Sequence, residues 1–267
     1  MAVFLPAKPQ NTGMCLIAFN WDPTADTPLL LLANRDEFHA RPAAALAWWD
    51  DGKVLAGRDL RAGGGWLGVN RAGRLAALTN YRDPSRSKPD ALSRGGLVSG
   101  FLQGNESAAD YIARLRAEAD RYNDFNLLLY DGRRLLGYES RFDCVVRFGS
   151  GVHAVSNARF DTPWPKLEKL KAGLRQEMSR AHAAAELDKA LFQLLLDPSL
   201  AADEHLPRTG VPLEWERLLS AAFIRSADYG TRAASLVRVS RQGLSFTERR
   251  FEQGEPTGET SLQILLS

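Results

Sequence analysis

The sequence predicts an α+β protein built from largely antiparallel sheets. Short apolar runs bounded by turn residues predict strands near both ends and in the middle of the chain. Apolar residues at helical spacing predict helices in the blocks between those strands. Because strand blocks and helix blocks alternate without regular βαβ units, helices covering two stacked sheets are one architecture that satisfies the pattern.

The first elements are strands, then a hairpin, then helices. "CLIAFNW" and "LLLLANRDE" are apolar runs separated by the turn "DPTADTP". "WLGVN" and "RLAALTNY" are predicted to pair as a hairpin around Gly73. Helices are predicted in "LSRGGLVSGFLQG" and in "SAADYIARLRAEAD", where Ser107 is the expected N-cap.

The second half repeats this order of strands followed by helices. Asp131-Gly132 predicts a hairpin between "FNLLLY" and "RRLLGYES", and "CVVRFGSGVHAVSN" continues the strands. Helices are predicted in "PLEWERLLSAAFI" and where apolar stripes run, at Leu167, Leu170, Leu174 and Met178 and at Leu187, Leu191, Leu194 and Leu195. The chain closes with three predicted strands, "RAASLVRVS", "LSFTERRFE" and "SLQILLS".

Length and charge narrow the class of protein. The 267 residues suffice for a full core, and 45% hydrophobic with 25% charged residues is typical of soluble globular proteins. Lys and Arg number 34 against 32 for Asp and Glu, which gives no support to nucleic-acid binding. No apolar run approaches the roughly 20 residues of a transmembrane helix. Neither a nucleic-acid partner nor a transmembrane segment is therefore expected.

Cysteine and histidine usage indicates a compartment and argues against a metal site. Two cysteines are too few for a disulfide framework and fit a reducing environment, and the first residues make a poor signal peptide, so a cytoplasmic location is expected. The four histidines are far apart, and none has zinc-ligand spacing with a cysteine. No metal site is predicted.

Cys15 is the first candidate for chemistry, and two interpretations of it stand. Free cysteines are often buried as small apolar side chains. Alternatively, Cys15 becomes the first residue of the mature chain after loss of Met14. Its own α-amine, with a pKa of ~7.7–8.0, would then take the thiol proton, so no histidine would be needed.

The block "NRDE", residues 34–37, offers helpers for such a thiol at the end of a predicted strand. It supplies an amide, a guanidinium and two carboxylates, which can stabilise an oxyanion, favour a thiolate or hold an amine. The same block is equally typical of a strand that simply ends in surface charges.

An ordered series of motifs resembles one known family. "MCLIAF", "ANRDEFHARP", "GRDLRAGGGWLGVN", "LAALTNYRD", "RGGLV", "FNLLLY", "SNARFDTPWPKL" and "YGTR" follow the pattern of the NRDE family, the transport-and-Golgi-organisation family. The resemblance runs from Met14 to about Arg232 and so covers most of the chain.

The resemblance implies a fold and a set of site residues. The family is similar to the N-terminal-nucleophile cysteine hydrolases, which have a four-layer αββα sandwich and cleave amides. On that pattern Cys15 matches the nucleophile, and Arg35 and Asp36 match an early charged cluster, although the order of residues in "NRD" is not identical. Asn80 and Asn157 match two asparagines that are expected to stabilise the oxyanion, and Arg232 matches a late arginine.

The resemblance implies a protein that acts on a small-molecule substrate or ligand, with one expected activity and one alternative. The expected activity is a cysteine amidohydrolase or acyl-transfer enzyme acting on a non-peptide C–N bond, with no cofactor required. The alternative is haem trafficking, in which haem is a transported ligand; the sequence has no C-x-x-C-H attachment motif.

One departure from the family pattern is that residues 1–13 precede Met14. They are expected to be an unstructured leader or the result of a misassigned start, and residues 14–267 are expected to form one domain. If the leader is retained, Cys15 has no α-amine and amine-assisted catalysis is impossible.

Overall fold

The structure is a computed structural model that describes residues 13–181 and 183–266. The expectation of a leader over residues 1–13 therefore lies outside the described residues, apart from Gly13. Within the described chain, strands form two sheets and five α-helices cover them. The prediction of a mixed α and β protein with antiparallel sheets is confirmed.

One sheet has six strands and contains both ends of the described chain. Its order is β10-β1-β2-β11-β12-β13, and all neighbours are antiparallel. These strands are β1 (Met14–Trp21), β2 (Leu29–Phe38), β10 (Gly151–Val155), β11 (Tyr229–Val239), β12 (Gly243–Glu252) and β13 (Glu255–Leu265).

The other sheet has seven strands in the order of the sequence, each antiparallel to the next. They are β3 (Ala43–Trp48), β4 (Leu55–Asp59), β5 (Leu67–Val69), β6 (Leu75–Asn80), β7 (Phe125–Tyr130), β8 (Leu135–Glu139) and β9 (Cys144–Arg147). Alternate residues of both sheets, such as Phe19, Leu31, Leu75 and Phe246, are fully or almost fully buried in one apolar cluster between them.

Helices lie on the outer face of each sheet. The first two pack on the seven-stranded sheet through a second apolar cluster, and they are α1 (Gly95–Gln103) and α2 (Ala108–Arg116). The next two pack on the six-stranded sheet through a third cluster, and they are α3 (Pro165–Ser179) and α4 (Ala184–Leu195). Helix α5 (Leu213–Leu218) packs beside Met14 and Tyr229.

Local signals explain several of these elements. Gly73 and Gly132 have φ values of 74° and 92°, which suits glycine in the two predicted hairpin turns. The Ser107 side chain accepts a hydrogen bond from the Asp110 N–H, so its predicted role as N-cap of α2 is confirmed.

Two strands were missed, and two predictions about helices need correction. Strands β3 and β4 were not predicted, because "AAALAW" is poor in the β-branched residues typical of strands. Helix α5 is much shorter than its predicted segment, and Met178, assigned to an apolar stripe, is 40% exposed at the end of α3.

No helix among the described residues has the length and apolar character needed to cross a membrane.

Candidate functional site

Strand alternation places Cys15 on the face of β1 that points between the sheets. Ile17, Phe19 and Trp21 are part of the apolar cluster between the sheets, whereas Leu16 and Ala18 pack on the helices. Because side chains alternate along a strand, Cys15 continues the first row. That row ends at a cavity of about 930 Å³, which Cys15 lines while remaining only 7% exposed.

The same alternation divides "NRDE" between two faces of β2. Arg35 and Glu37 continue the row of Leu31 and Ala33 and line the cavity. Asn34 and Asp36 continue the row of Leu30 and Leu32, which pack on the helices. We call Cys15, Arg35 and Glu37 the cavity face, and Met14, Asn34 and Asp36 the helix face. Strand alternation thus points the side chains of Arg35 and Asp36 to opposite faces, although both residues line the cavity.

Arg35 lies directly beside Cys15 and keeps hydrogen-bonding capacity. The two residues are partners in the β1–β2 register. The Arg35 Nη2 atom lies 3.9 Å from a Glu37 oxygen and 3.7 Å from an Asp59 oxygen, while Arg41 takes the closer contact to Asp59 at 2.6 Å. Arg35 makes no side-chain hydrogen bond to the residues described here, so its N–H groups are available to a ligand.

A β-bulge in β11 brings Arg232 to the same cavity. The register of β11 against β2 shifts between Thr231 and Ala233, and both Arg232 and Ala233 line the cavity. Arg232 Nη1 donates to the backbone oxygens of Phe38 at 3.2 Å and His39 at 2.7 Å. These contacts fix its guanidinium at the cavity edge.

Thr231, on the other side of the bulge, serves the helix face. Its hydroxyl donates to Asp36 Oδ1 at 2.6 Å and accepts from the Ile224 N–H at 2.9 Å. Thr231 therefore acts on the helix face, while Arg232, the extra residue of the bulge, lines the cavity.

The two predicted asparagines have different positions. Asn80 lines the cavity, and its Nδ2 donates to the backbone oxygen of Gly13, two residues before Cys15. Asn157 is fully buried and does not line the cavity; its Nδ2 donates to the Asn80 backbone oxygen at 2.9 Å. The Ser156 hydroxyl lies within hydrogen-bond distance of the Cys15 carbonyl at 2.9 Å and of Asn157 Oδ1 at 3.0 Å. Asn157 thus packs behind Asn80 and β1 and does not line the cavity, where its expected role as an oxyanion donor would place it.

Burial controls the protonation of the central residues. It raises the pKa of the Cys15 thiol to about 12, with the Asp36 carboxylate as the second cause, so the thiol is neutral at physiological pH. Burial also raises the pKa of Asp36 from 3.8 to about 6, opposed by Lys166 and by the Thr231 hydrogen bond. A nucleophilic role for Cys15 therefore requires a base that removes its proton.

Three charged residues near the site were not predicted: Arg82, Lys166 and Glu216. All are at most 5% exposed. Lys166 lies four residues before Leu170, so it was detectable as a lysine on the apolar face of a predicted helix. Arg82 and Glu216 have no such sequence signal, because they meet only through the tertiary fold.

Met14 is part of the packed structure. Its side chain is 3% exposed among Trp215, Leu219 and Tyr229, and its N–H donates to the Tyr229 hydroxyl at 3.2 Å. In the described chain the Cys15 nitrogen is consequently a peptide nitrogen. Starting the chain at Cys15 removes this packing and leaves an α-amine next to the helix face.

The glycine-rich loop "GGG" forms part of the cavity wall through close packing. A Cβ on Gly64 would lie 2.5 Å from the Gly95 backbone carbon at the start of α1. Only glycine allows this approach, so the loop packs its backbone directly against the start of α1.

The cavity offers one candidate ligand for haem iron. Among the described lining residues, Cys15 is the one side chain of a type that commonly ligates haem iron. Such a ligand binds as a thiolate, so the buried Cys15 thiol would have to lose its proton on binding. We derive no step through haem. No group of three or more His, Cys, Asp or Glu in the described chain is arranged to hold a metal ion.

Comparison with known proteins identifies the family that the chain matches. Residues 14–253 match the family model described as Transport and Golgi organisation 2. The chain is 34% identical over 267 residues to the Transport and Golgi organization protein 2 homolog of Bos taurus, covering 91% of this chain and 95% of that protein.

Two further relatives agree with this match. The Mus musculus homolog is 33% identical, with 88% of this chain and 92% of that protein covered. The Drosophila melanogaster protein is 28% identical, with 92% and 95% covered. The chain belongs to the Transport and Golgi organisation 2 family.

Proposed function

We propose that the protein is a cysteine-dependent amidohydrolase or acyl-transfer enzyme with Cys15 as its nucleophile. One observation carries this proposal: the Asn80 amide already donates to a backbone carbonyl, that of Gly13, beside the cavity that Cys15 lines. A substrate carbonyl in the same position would receive the same hydrogen bond. A donor of this kind stabilises the oxyanion of an acyl-transfer intermediate.

The proposed reaction has two steps, acylation of Cys15 and then transfer of the acyl group to water. The Cys15 sulfur forms a bond to the substrate carbonyl carbon, the C–N or C–S bond to the leaving group breaks, and the thiol proton passes to that leaving group. Water then forms a bond to the acyl carbon, the S–C bond breaks, and the proton returns to sulfur. An acceptor amine or alcohol in place of water gives acyl transfer.

The base is the central requirement of this mechanism. Burial keeps the Cys15 thiol neutral, and the α-amine of a chain that begins at Cys15 has a suitable pKa of ~7.7–8.0. In the proposed active form Cys15 is therefore the first residue. Asp36, fully buried and in register with Met14, lies where it can interact with that amine.

The arginines of the cavity favour a substrate with an anionic group. Arg35, beside Cys15, makes no side-chain hydrogen bond within the described chain, and Arg232 lines the same cavity. Arg41, Arg58, Arg61 and Lys88 add positive charge to the lining, which also contains the acidic residues Asp36, Glu37, Asp59, Glu248 and Glu252. Guanidinium groups bind carboxylates through paired hydrogen bonds. We assign Arg35 and Arg232 to such a carboxylate, and Asn157 to the support of Asn80.

The finer fold and location are part of the same proposal. The order of helix, sheet, sheet and helix layers supports an N-terminal-nucleophile-like αββα sandwich, and the family match over residues 14–253 supports one domain. Both cysteines are free thiols, which supports a cytoplasmic location.

The test compares the full chain with a chain expressed from Met14. Intact mass first shows whether the shorter chain begins at Cys15. Both are then mixed with p-nitrophenyl acetate, and acylation is followed by nitrophenol release and by mass. We expect about 10²–10⁴-fold faster acylation when Cys15 is the first residue, because its amine becomes the general base.

Matched variants make the result specific. Cys15→Ala should abolish the acyl adduct, and Cys144→Ala should leave it unchanged, since Cys144 lies on β9 away from the cavity. Acylation of Cys15→Ala at the wild-type rate, or no adduct on a chain that begins at Cys15, would contradict the proposed function. Soret absorbance after haem addition, with the same variants, tests the alternative of haem binding.

A further inference from the structure

A cluster of buried charges lies behind the candidate nucleophile, on the helix side of the six-stranded sheet. It contains two cations, Arg82 and Lys166, and two anions, Glu216 and Asp36, with exposures of 5%, 5%, 4% and 0%. Burying an ionised group is costly unless an opposite charge or hydrogen bonds compensate it. The pairing of these four groups therefore decides how they behave.

Arg82 and Glu216 compensate one another. Arg82 Nη1 donates to Glu216 Oε2 at 2.8 Å. The other oxygen of Glu216 accepts from the Thr209 backbone N–H at 2.8 Å and from the Thr209 hydroxyl at 2.6 Å. Both carboxylate oxygens of Glu216 are consequently occupied, and Asp36 is the carboxylate that most strongly favours the charged form of Lys166.

Lys166 and Asp36 each retain an unused polar atom. Within the described chain, Lys166 Nζ has no hydrogen-bond partner, and neither has Asp36 Oδ2, although both atoms are buried. Lys166 follows Pro165, the first residue of α3, so the rigid start of that helix holds the lysine against the sheet. Of the cations that stabilise the Asp36 carboxylate, Lys166 acts more strongly than Arg35 or Arg82.

We propose that Lys166 is a positioning residue of the candidate site: its ammonium group is the counter-charge that keeps the Asp36 carboxylate ionised next to the first residues of β1. The catalytic meaning of this pair rests on the proposed function of Cys15. An ionised Asp36 can accept hydrogen bonds from an α-amine at Cys15, whereas a protonated Asp36 loses its negative charge and with it that attraction.

The other titratable and charged groups near the pair raise or lower the pKa of Lys166 or of Asp36. Cys15 and Glu216 favour the charged form of Lys166, and Arg82 opposes it. Arg35, Arg82 and the Thr231 hydroxyl favour the Asp36 carboxylate. The Asp36 carboxylate in turn raises the pKa of both Cys15 and Tyr229. None of these groups replaces the ammonium charge that Lys166 supplies from α3.

The direct test measures the titration of Asp36 in the full chain. Its carboxyl carbon is followed by ¹³C NMR with labelled aspartate, and Asp36→Asn identifies its resonance. Replacing Lys166 with Met should raise the pH midpoint of Asp36 by about one unit or more, since a nearby opposite charge lowers a carboxyl pKa by ~1–3. Lys166→Arg should restore most of the wild-type midpoint.

Lys169→Met is the matched control. Lys169 lies on the same helix but is mostly exposed and bonds to Ser199 and Asp197, so its loss should leave the Asp36 midpoint unchanged. If Asp36 titrates at the same pH in Lys166→Met as in Lys169→Met, the proposal is wrong.

A reciprocal measurement covers the case in which Lys166→Met does not fold. Coupling between two sites is mutual, so Asp36→Asn should lower the midpoint of the Lys166 ¹³Cε resonance relative to wild type. An unchanged Lys166 midpoint in that variant would also overturn the proposal.

The acylation assay separates this inference from the proposed function. If wild type forms no acyl adduct but the two midpoints shift as expected, the pair exists and the function of Cys15 is wrong. If acylation occurs and its rate falls at low pH with the same midpoint in Lys166→Met as in wild type, Lys166 has no positioning role.

Discussion

The cavity face and the helix face of β1 and β2 carry charge in different ways, although they are built from the same few residues. On the cavity face, Arg35 and Glu37 are each 9% exposed and form a loose ion pair with an N–O distance of 3.9 Å. On the helix face, Asp36 is fully buried, and Arg82 and Glu216 behind it form a close pair. Substitutions on the cavity face should therefore change chemistry, and those on the helix face should change stability and titration.

The largest expected effect tests the helix side. Arg82→Met should lower the free energy of unfolding by about 3–5 kcal/mol, because it leaves the buried Glu216 carboxylate without its cation. Arg41→Met is the cavity-side control, and its pair with Asp59 is partly exposed, so we expect a loss of about 0–1 kcal/mol. Urea denaturation measures both values, and equal losses would remove the distinction between the two faces.

The next effect concerns the two asparagines. Asn80→Ala should slow acylation about 10²–10³-fold with little change in stability, because it removes a donor from the cavity. Asn157→Ala should instead mainly lower stability, since Asn157 is buried and hydrogen-bonded to Asn80 and Ser156. Acylation rates and urea midpoints of both variants test this; an unchanged rate in Asn80→Ala would show that Asn80 is not the oxyanion donor.

Arg35 provides a smaller and more specific effect. We expect Arg35→Met to reduce the rate with mono-p-nitrophenyl glutarate about 10–100-fold relative to the rate with p-nitrophenyl butyrate, because a charged hydrogen bond contributes ~1.5–3 kcal/mol. The neutral ester serves as the internal control for effects on Cys15. An equal reduction for both esters would indicate that Arg35 acts on the reaction and not on a substrate carboxylate.

The last predicted effect is a pH dependence on the helix face. Burial raises the pKa of Asp36 from 3.8 in the unfolded chain to about 6 in the folded one, so the folded state binds more protons between these values. The corresponding stabilisation is present below about pH 4 and is lost as the pH rises through 6.

Urea midpoints of wild type and Asp36→Asn between pH 4 and 7 measure this dependence. The stability of wild type relative to the variant should fall over that range, because the variant has no titrating group at position 36. A constant difference would show that the folded-state pKa of Asp36 is not raised.

Periodicity predicted most of the fold but only part of the site. The hairpins around Gly73 and Gly132 follow from local turn chemistry, and the β2 segment was predicted as a strand. The alternation of that strand could have separated Arg35 from Asp36, but matching residues by order along the chain grouped them. Alternation along a single strand, and not order alone, carries that information.

The rest of the site depends on contacts between distant segments. Arg82 meets Glu216 across 134 residues, and no local pattern encodes that pair. The bulge that brings Arg232 to the cavity is a property of how β11 pairs with β2. Lys166 had a detectable signal, a lysine on an apolar helix face, but its partner Asp36 lies on another element.

The bulge between Thr231 and Ala233 also determines how the site can be lost. Thr231 and Ala234 both face the helices only because the bulge adds a residue between them. Deleting Arg232 would restore a regular strand in which Thr231 stays opposite Asp36 and Ala233 stays opposite Arg35, so the guanidinium would leave the cavity while the Thr231–Asp36 hydrogen bond is kept. A single-codon deletion would thus remove one arginine from the site while sparing the sandwich and the helix face, so among homologues the length of this segment indicates whether that arginine is present.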